Sequence, residues 1–303
     1  MTEYKYNNPI KNDGSFLFFL LLMVFAGALT GSLLVSIIGG SELQGMLMQD
    51  NYQATLAERN TLRAMQLAGH LFTFTGASLI FALFFFGKGW LQALGFRKVS
   101  DLVLVGAGMG FLLFSFPLAQ ALLYWNAQLP LPEWAMQAEN NTAALLQQLL
   151  RMEHPSELVF NFLLIAVAPA LGEELLFRGL LQSYFQRLLG KPWLAIWITA
   201  IIFSFFHFQL AGFLPRMLLG ACLGYLFFWT SNLWIPIAAH LAINGIQVVI
   251  PWFYPEMIEL AASENTEVPN WGLTTTSTIF MLVIGRWIYQ RSNTVPANEI
   301  QES

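Results

Sequence analysis

The sequence predicts an all-α integral membrane protein, and three bulk properties support that fold class. Hydrophobic residues make up 56% of the 303 residues, charged residues make up 11%, and the mean hydropathy is +0.56. A soluble domain typically carries about 25% charged residues, so these few charges cannot cover a water-soluble surface. Disordered, coiled-coil and collagen-like chains are also excluded, because each needs a polar or periodic composition. Helices are favoured over a β-barrel, because the apolar runs are longer than the segments of about 10 residues with alternating polarity that form barrel strands.

At about 20 residues per span, the apolar runs predict a bundle of about eight transmembrane helices. The first run is interpreted as a retained span, because it is too long for a signal-peptide core and has no clear small-residue cleavage site. The fourth run is expected to continue as a helix to about Leu189. The runs are Phe16–Ile38, Ala68–Gly87, Leu102–Tyr124, Leu158–Leu171, Trp193–Phe208, Pro215–Thr230, Ile235–Ile250 and Leu273–Tyr289.

The distribution of Lys and Arg predicts that both termini are cytoplasmic in a multi-pass protein of a cell inner membrane, since cytoplasmic loops are enriched in these residues. We predict a single membrane domain over 1–303, with polar tails at 1–15 and 291–303 and core helices at 158–251. The inner segments hold Lys5, Lys11, Lys88, Arg97, Lys98, Arg187, Lys191, Arg286 and Arg291, and the outer segments hold Arg59, Arg63, Arg151 and Arg216.

Two long outer loops, Gly39–Leu67 and Trp125–Glu157, contain amphipathic stretches such as Trp134–Met152. Such stretches predict interfacial helices that lie on the membrane, with a solvated helical hairpin as the open alternative. The net charge of −4 and the lack of a polybasic tail argue against a nucleic-acid partner. The single cysteine, Cys222, lies in an apolar run and is expected to serve packing.

Three charged residues interrupt the fourth run. Glu173 and Glu174 are the acidic residues that we place deep in a predicted span, and Arg178 follows Glu174 by four residues, so the two can pair on one helix face. A charge at mid-bilayer costs at least about 2.5–3.5 kcal/mol on insertion scales, which marks these residues as functional candidates. The alternative is that the helix ends at Leu171 and leaves the charges in water, but the apolar pattern continues beyond it.

Two of the four histidines lie deep in predicted spans. His207 ends the pattern Phe203-x-x-x-His207 in the fifth run, and His240 shares a helix face with Asn244 in the seventh. Polar faces cannot point at lipid, so the three neighbouring runs are expected to bring these groups together. His70 and His154 lie near span boundaries, and we interpret both as structural.

The depth of these groups can be compared by counting residues at about 1.5 Å each. Glu173 and His207 both lie roughly 15 residues, or about 22 Å, from the inner turn near Gly190. His240 lies only about 5 residues from the apparent start of its helix. Either the seventh helix begins deeper, after a loop that dips into the bundle, or the helices are tilted.

The candidate residues supply two carboxylates, two imidazoles, an amide and a guanidinium. This set of groups suits the catalysis of hydrolysis. A shielded Glu can act as general base toward a trapped water, a neutral His can share that water, and an Asn amide can stabilise an oxyanion. Two His and one Glu also form a catalytic zinc set, here Glu173, His207 and His240. The absence of GxSxG disfavours a serine nucleophile, and the absence of HExxH excludes an ordinary zincin.

Glu173-Glu174-x-x-x-Arg178, Phe203-x-x-x-His207 and His240-x-x-x-Asn244 resemble the three motifs of the CPBP intramembrane proteases, in the same order and spacing. That superfamily includes type II CAAX prenyl endopeptidases and bacteriocin-processing and immunity proteins. The resemblance covers about 158–251. It implies an eight-helix bundle with a membrane-embedded active site.

Within that resemblance, Glu173 would activate water with help from His207, and Glu174 would orient the site and pair with Arg178. His240 and Asn244 would bind the scissile carbonyl or its oxyanion. A zinc-dependent and a metal-free glutamate mechanism are both open. The expected function is an intramembrane endopeptidase that hydrolyses a membrane-anchored peptide or protein. The alternatives are a non-catalytic membrane partner, such as an immunity or scaffold protein, and a proton-coupled transporter.

Overall fold

The computed structural model describes residues 14–39, 45, 52, 54–258 and 268–294, and every regular element in these ranges is a helix. The predicted all-α fold class is therefore confirmed. We number the main helices in chain order. They are α1 Gly14–Ile38, α2 Leu56–Ala93, α3 Leu102–Ala127, α4 Glu133–Leu150, α5 Pro155–Leu189, α6 Pro192–Phe205, α7 Phe213–Thr230, α8 Trp234–Phe253 and α9 Trp271–Thr294.

Six of these helices (α1, α2, α3, α5, α7 and α8) are long and apolar enough to cross a membrane. The chain is thus a multi-pass membrane protein. Helix α6 has only 14 residues, which is about 21 Å of helix against a hydrocarbon core of about 30 Å. The predicted count of about eight spans is therefore not confirmed, and the predicted orientation stays a prediction.

The second span begins earlier than predicted. Helix α2 starts at Leu56 instead of Ala68, because Thr55 caps it by accepting from the Glu58 backbone N–H, while the Glu58 carboxylate accepts from the Thr55 N–H. Part of the predicted outer loop Gly39–Leu67 is therefore helix, and most of the remainder lies outside the described residues. The first turns of α2 are polar, so hydropathy alone does not indicate a helix there.

The amphipathic stretch in the second long loop is a helix, as predicted. Helix α4 packs against α2 and α8 and buries Ala135, Leu149 and Leu150. The prediction that it lies on the membrane surface stays a prediction.

Helix α5 continues without interruption to Leu189, so the alternative in which it ends at Leu171 is wrong. Its hydrogen-bond pattern widens to π-helix at Phe162–Val167 and at Leu175–Gln182. Glu173 and Glu174 lie on the α-helical turn between these two segments, and both are buried. Such π-segments are frequent at functional sites.

The loop before α8 dips into the bundle, which accounts for the depth of His240. The Leu233 N–H donates to the Gly95 carbonyl at 2.9 Å, and the neighbouring Leu94 packs on Gly179. Gly179 follows Glu174 by five residues, which is about 7.5 Å along α5. His240 follows Leu233 by seven residues, which is about 10 Å along α8. Helix α8, which contains the seventh apolar run, therefore starts inside the bundle, in agreement with the first of the two alternatives.

Candidate active site

Glu174 is the centre of a buried ion-pair network. It is fully buried, and its Oε1 accepts from Arg178 Nη1 at 2.7 Å and from His240 Nδ1 at 2.9 Å. Arg178 is also fully buried, donates from Nη2 to the Gly220 carbonyl at 2.8 Å, and lies 4.9 Å from the centre of the Phe203 ring. This network joins α5, α7 and α8, and it fixes the His240 ring.

Glu173 lies beside this network and next to His240. It is 6% exposed. Its Oε2 lies 4.0 Å from His240 Nε2, which is too long for a direct hydrogen bond. A water that makes normal hydrogen bonds of about 2.8 Å can bridge two atoms at this separation. The separation of Glu173 and His240 is therefore compatible with a bridging water.

His207 lies in a turn and not deep in a helix, which corrects the sequence interpretation. Helix α6 ends at Phe205, and His207 Nδ1 lies 2.9 Å from the Phe203 carbonyl. Two side chains from other helices hold the turn in place: Asn126 donates to the Leu210 carbonyl at 2.8 Å, and Glu139 accepts from the Ala211 N–H at 2.8 Å.

Asn244 donates from Nδ2 to the Ile165 carbonyl at 3.1 Å. The residue four positions after Ile165 is Pro169, which has no N–H, so this carbonyl lacks its normal helical donor. Asn244 supplies the missing donor and thereby ties α8 to α5. One amide N–H is used in this way, and the second is left for other partners.

All six predicted site residues thus lie on α5, α8 and the turn after α6. Residues 155–246 match the family model for type II CAAX prenyl endopeptidase Rce1-like proteins, and this range contains all three motifs. We call residues 155–246 the Rce1-like domain, because they are similar to that family. The resemblance to the CAAX protease family is therefore confirmed for this part of the chain.

A curated relative of the chain is the uncharacterized protein YpbD of Bacillus subtilis (strain 168). The two are 32% identical over 93 residues, which are 29% of this chain and 42% of the relative. The chain thus matches less than half the length of that relative. No solved structure matches the chain significantly.

His70 is a site neighbour that the sequence interpretation missed. It lies within α2 and not at a span boundary, and its Nε2 is 3.3 Å from Glu173 Oε1 in the Rce1-like domain. No motif indicates it, because its helix lies outside the matched range. The signal that was available is a histidine in an apolar stretch.

A second buried charged cluster, here called the outer cluster, consists of Arg59, Arg63, Glu157 and Asn161. The two arginines were interpreted as outer-loop charges, and Glu157 was not placed inside a span, yet these residues are 0–1% exposed. Glu157 Oε1 accepts from Arg59 Nε at 2.9 Å and from Arg63 Nη1 at 2.7 Å. Arg63 Nε donates to Asn161 Oδ1 at 2.8 Å. The cluster joins α2 to the start of the Rce1-like domain.

The arrangement of these side chains does not fit a zinc ion. Zinc needs its ligand atoms at about 2.0–2.2 Å around one point. Within the described ranges, no group of three or more His, Cys, Asp or Glu residues is placed to hold a metal. The set Glu173, His207 and His240 is therefore not arranged as a zinc site, and no step proposed below goes through a metal.

Gly172 allows α5 to approach α2 beside the site. A Cβ at this position would lie 2.5 Å from Thr75 Oγ1 and 3.1 Å from Phe74 Cβ.

We expect Gly172→Ala to lower the free energy of unfolding by about 1–3 kcal/mol, the usual cost of overpacking, and to reduce activity. Thermal unfolding in detergent measures the change. Gly106→Ala in α3 is the control, because nothing lies within 4 Å of its added Cβ; equal stability of the two variants would contradict the expectation.

Proposed function

We propose that this protein is an intramembrane endopeptidase that hydrolyses a peptide bond in a membrane-anchored peptide or protein. The observation that carries the proposal is the 4.0 Å gap between Glu173 Oε2 and His240 Nε2 in a buried site. The Rce1-like match supports the same class of activity. Apolar helices around the site suit a substrate that enters from the bilayer.

The charges of the cluster favour a protonated His240. Glu173 and Glu174 carry two negative charges, and Arg178 carries one positive charge. A buried net charge is costly, and one further proton makes the cluster neutral. His240 is the imidazole that faces both carboxylates, so it holds this proton best.

His240 then donates from Nδ1 to Glu174 and presents its Nε2 proton to the site. This proton, together with the second amide N–H of Asn244, stabilises the oxyanion that forms when the scissile carbonyl is attacked. His207 is oriented by the Phe203 carbonyl, which can only accept. Its Nδ1 therefore carries the proton, and Nε2 is free to accept one from water.

The reaction follows from these positions. Glu173 Oε2 takes a proton from the bridging water, assisted by His207 Nε2, and the hydroxide attacks the scissile carbonyl carbon. The tetrahedral intermediate collapses when the C–N bond breaks, and the proton held by Glu173 passes to the leaving amine. The immediate products are a carboxylic acid and an amine. The acid proton then passes to the amine, which leaves a carboxylate and an ammonium group, and one oxygen of the new carboxylate comes from water.

Isotope labelling tests this function. Membrane vesicles from cells that express the protein are incubated in water enriched in ¹⁸O, and mass spectrometry identifies newly formed C-termini. We expect peptides that occur only when the active protein is present, each with one ¹⁸O from solvent. A non-catalytic partner or a transporter would yield no such peptides, and that result would refute the proposal.

A further inference from the structure

The Nε2 atom of His70 is held beside Glu173 as a hydrogen-bond donor. Its Nε2 faces Glu173 Oε1 at 3.3 Å, and its Nδ1 is buried with no hydrogen-bond partner among the described residues. A carboxylate accepts hydrogen bonds, so Nε2 carries the proton. His70 therefore donates from Nε2 to Glu173 Oε1.

The two oxygens of Glu173 consequently have different surroundings. Oε1 faces the His70 donor, whereas Oε2 faces the gap to His240. A carboxylate on a flexible side chain would otherwise rotate and exchange its oxygens. Contact with His70 selects one rotation and directs Oε2 at the position of the bridging water.

The backbone that carries His70 is itself held in register with α5. Arg59 pairs with Glu157, and Arg63 with Asn161; each pair is separated by 98 positions in the chain. The two helices therefore run parallel over this stretch. His70 follows Arg63 by seven residues, which is two helical turns, and so lies on the same face of α2. Its ring also stacks on Phe74, with the ring centres 4.7 Å apart.

We propose that His70 is a positioning residue for the reaction: its Nε2–H holds Glu173 Oε1 and leaves Oε2 as the base. The inference rests on the proposed function, because it assigns no activity of its own. It places part of the active site on α2, outside the matched residues 155–246.

Three substitutions test the donor role. His70→Gln retains an N–H donor with a reach similar to that of Nε2. His70→Asn carries the same amide on a side chain shorter by one carbon–carbon bond, about 1.5 Å. His70→Leu removes the donor. We expect kcat to fall about 100-fold in the Asn and Leu variants, because small misplacements of reacting groups cost about this much. The Gln variant is expected to stay within about 10-fold of wild type.

The measurement is steady-state cleavage of a fluorogenic peptide anchored by one apolar helix in phospholipid vesicles. KM should not change, because the inferred role of His70 is exerted through Glu173 and assigns it no contact with the substrate. His154→Asn removes the other histidine outside the motifs and is expected to leave kcat unchanged. The Gln and Asn variants keep the test decisive if the Leu variant does not fold. An unchanged kcat in the Asn variant, an equal loss in the Gln and Asn variants, or a change confined to KM would overturn the inference.

Glu173→Gln in the same assay separates the two proposals. If wild type and Glu173→Gln cleave equally, or if wild type does not cleave, the proposed function fails. If Glu173→Gln is inactive while the Asn and Leu variants of His70 match wild type, only the positioning role fails.

Discussion

Replacement of Glu173 by Gln is expected to reduce kcat by about 10²- to 10⁴-fold, the usual contribution of a general base. An amide has nearly the same shape as the carboxylate but cannot take a proton from water. Its carbonyl oxygen can still accept from His70 Nε2 at the Oε1 position. The variant therefore retains the local contacts while it loses the chemistry. Cleavage of an anchored peptide in vesicles, under saturating substrate, measures the effect.

Glu133→Gln is the matched control for this substitution. Glu133 is an exposed residue in the first turn of α4, and its replacement by Gln is expected to leave kcat unchanged. Thermal unfolding of both variants must stay close to wild type, because a loss of folded protein would imitate a loss of activity. A folded Glu173→Gln variant with wild-type kcat would contradict the assignment of Glu173 as the base.

Local spacing explains why the Glu174–Arg178 pair was predictable. Residues four apart on a helix are neighbours, and the pair is present at 2.7 Å. The convergence of α5, the turn after α6, and α8 was also predictable, because polar helix faces in a membrane cannot face lipid and must contact each other. The position of His207 in a turn was not predictable, because the end of α6 at Phe205 depends on the contacts that hold the following turn.

The outer cluster and His70 could not be predicted from local spacing. Their partners lie about 100 positions apart in the chain, so contact requires the relative register of two helices. That register is set by packing, including the close approach at Gly172, and leaves no periodic signal in either segment. The polar start of α2 also resembles a loop by composition, which conceals two buried arginines.

Replacement of Glu157 by Leu is expected to lower the free energy of unfolding by about 3–5 kcal/mol, the usual cost of removing one partner from a buried ion pair. Glu157 is fully buried and accepts from both Arg59 and Arg63. Its removal leaves two buried guanidinium groups without their shared carboxylate. Chemical or thermal unfolding in detergent micelles measures the loss.

The control is Glu153→Leu, because Glu153 also lies near the start of α5 and pairs with Arg59 at 3.2 Å, but its side chain is 49% exposed. An exposed pair contributes about 0–1 kcal/mol, so this variant should stay close to wild type. Equal stability of the two variants would contradict the buried-pair account.

A triple substitution, Arg59→Met, Arg63→Met and Glu157→Leu, separates charge from burial. If the loss in Glu157→Leu comes from uncompensated charge, an apolar replacement of the whole set should regain most of the stability, since buried pairs are often no better than well-packed apolar groups. We expect the triple variant to regain stability and yet lose activity. An apolar contact is less specific about register than two ion pairs, and a shift of α2 by one residue, about 1.5 Å, would carry His70 away from Glu173. If the triple variant retained both stability and wild-type kcat, the outer cluster would be a stabilising element without a role in aligning α2 on α5.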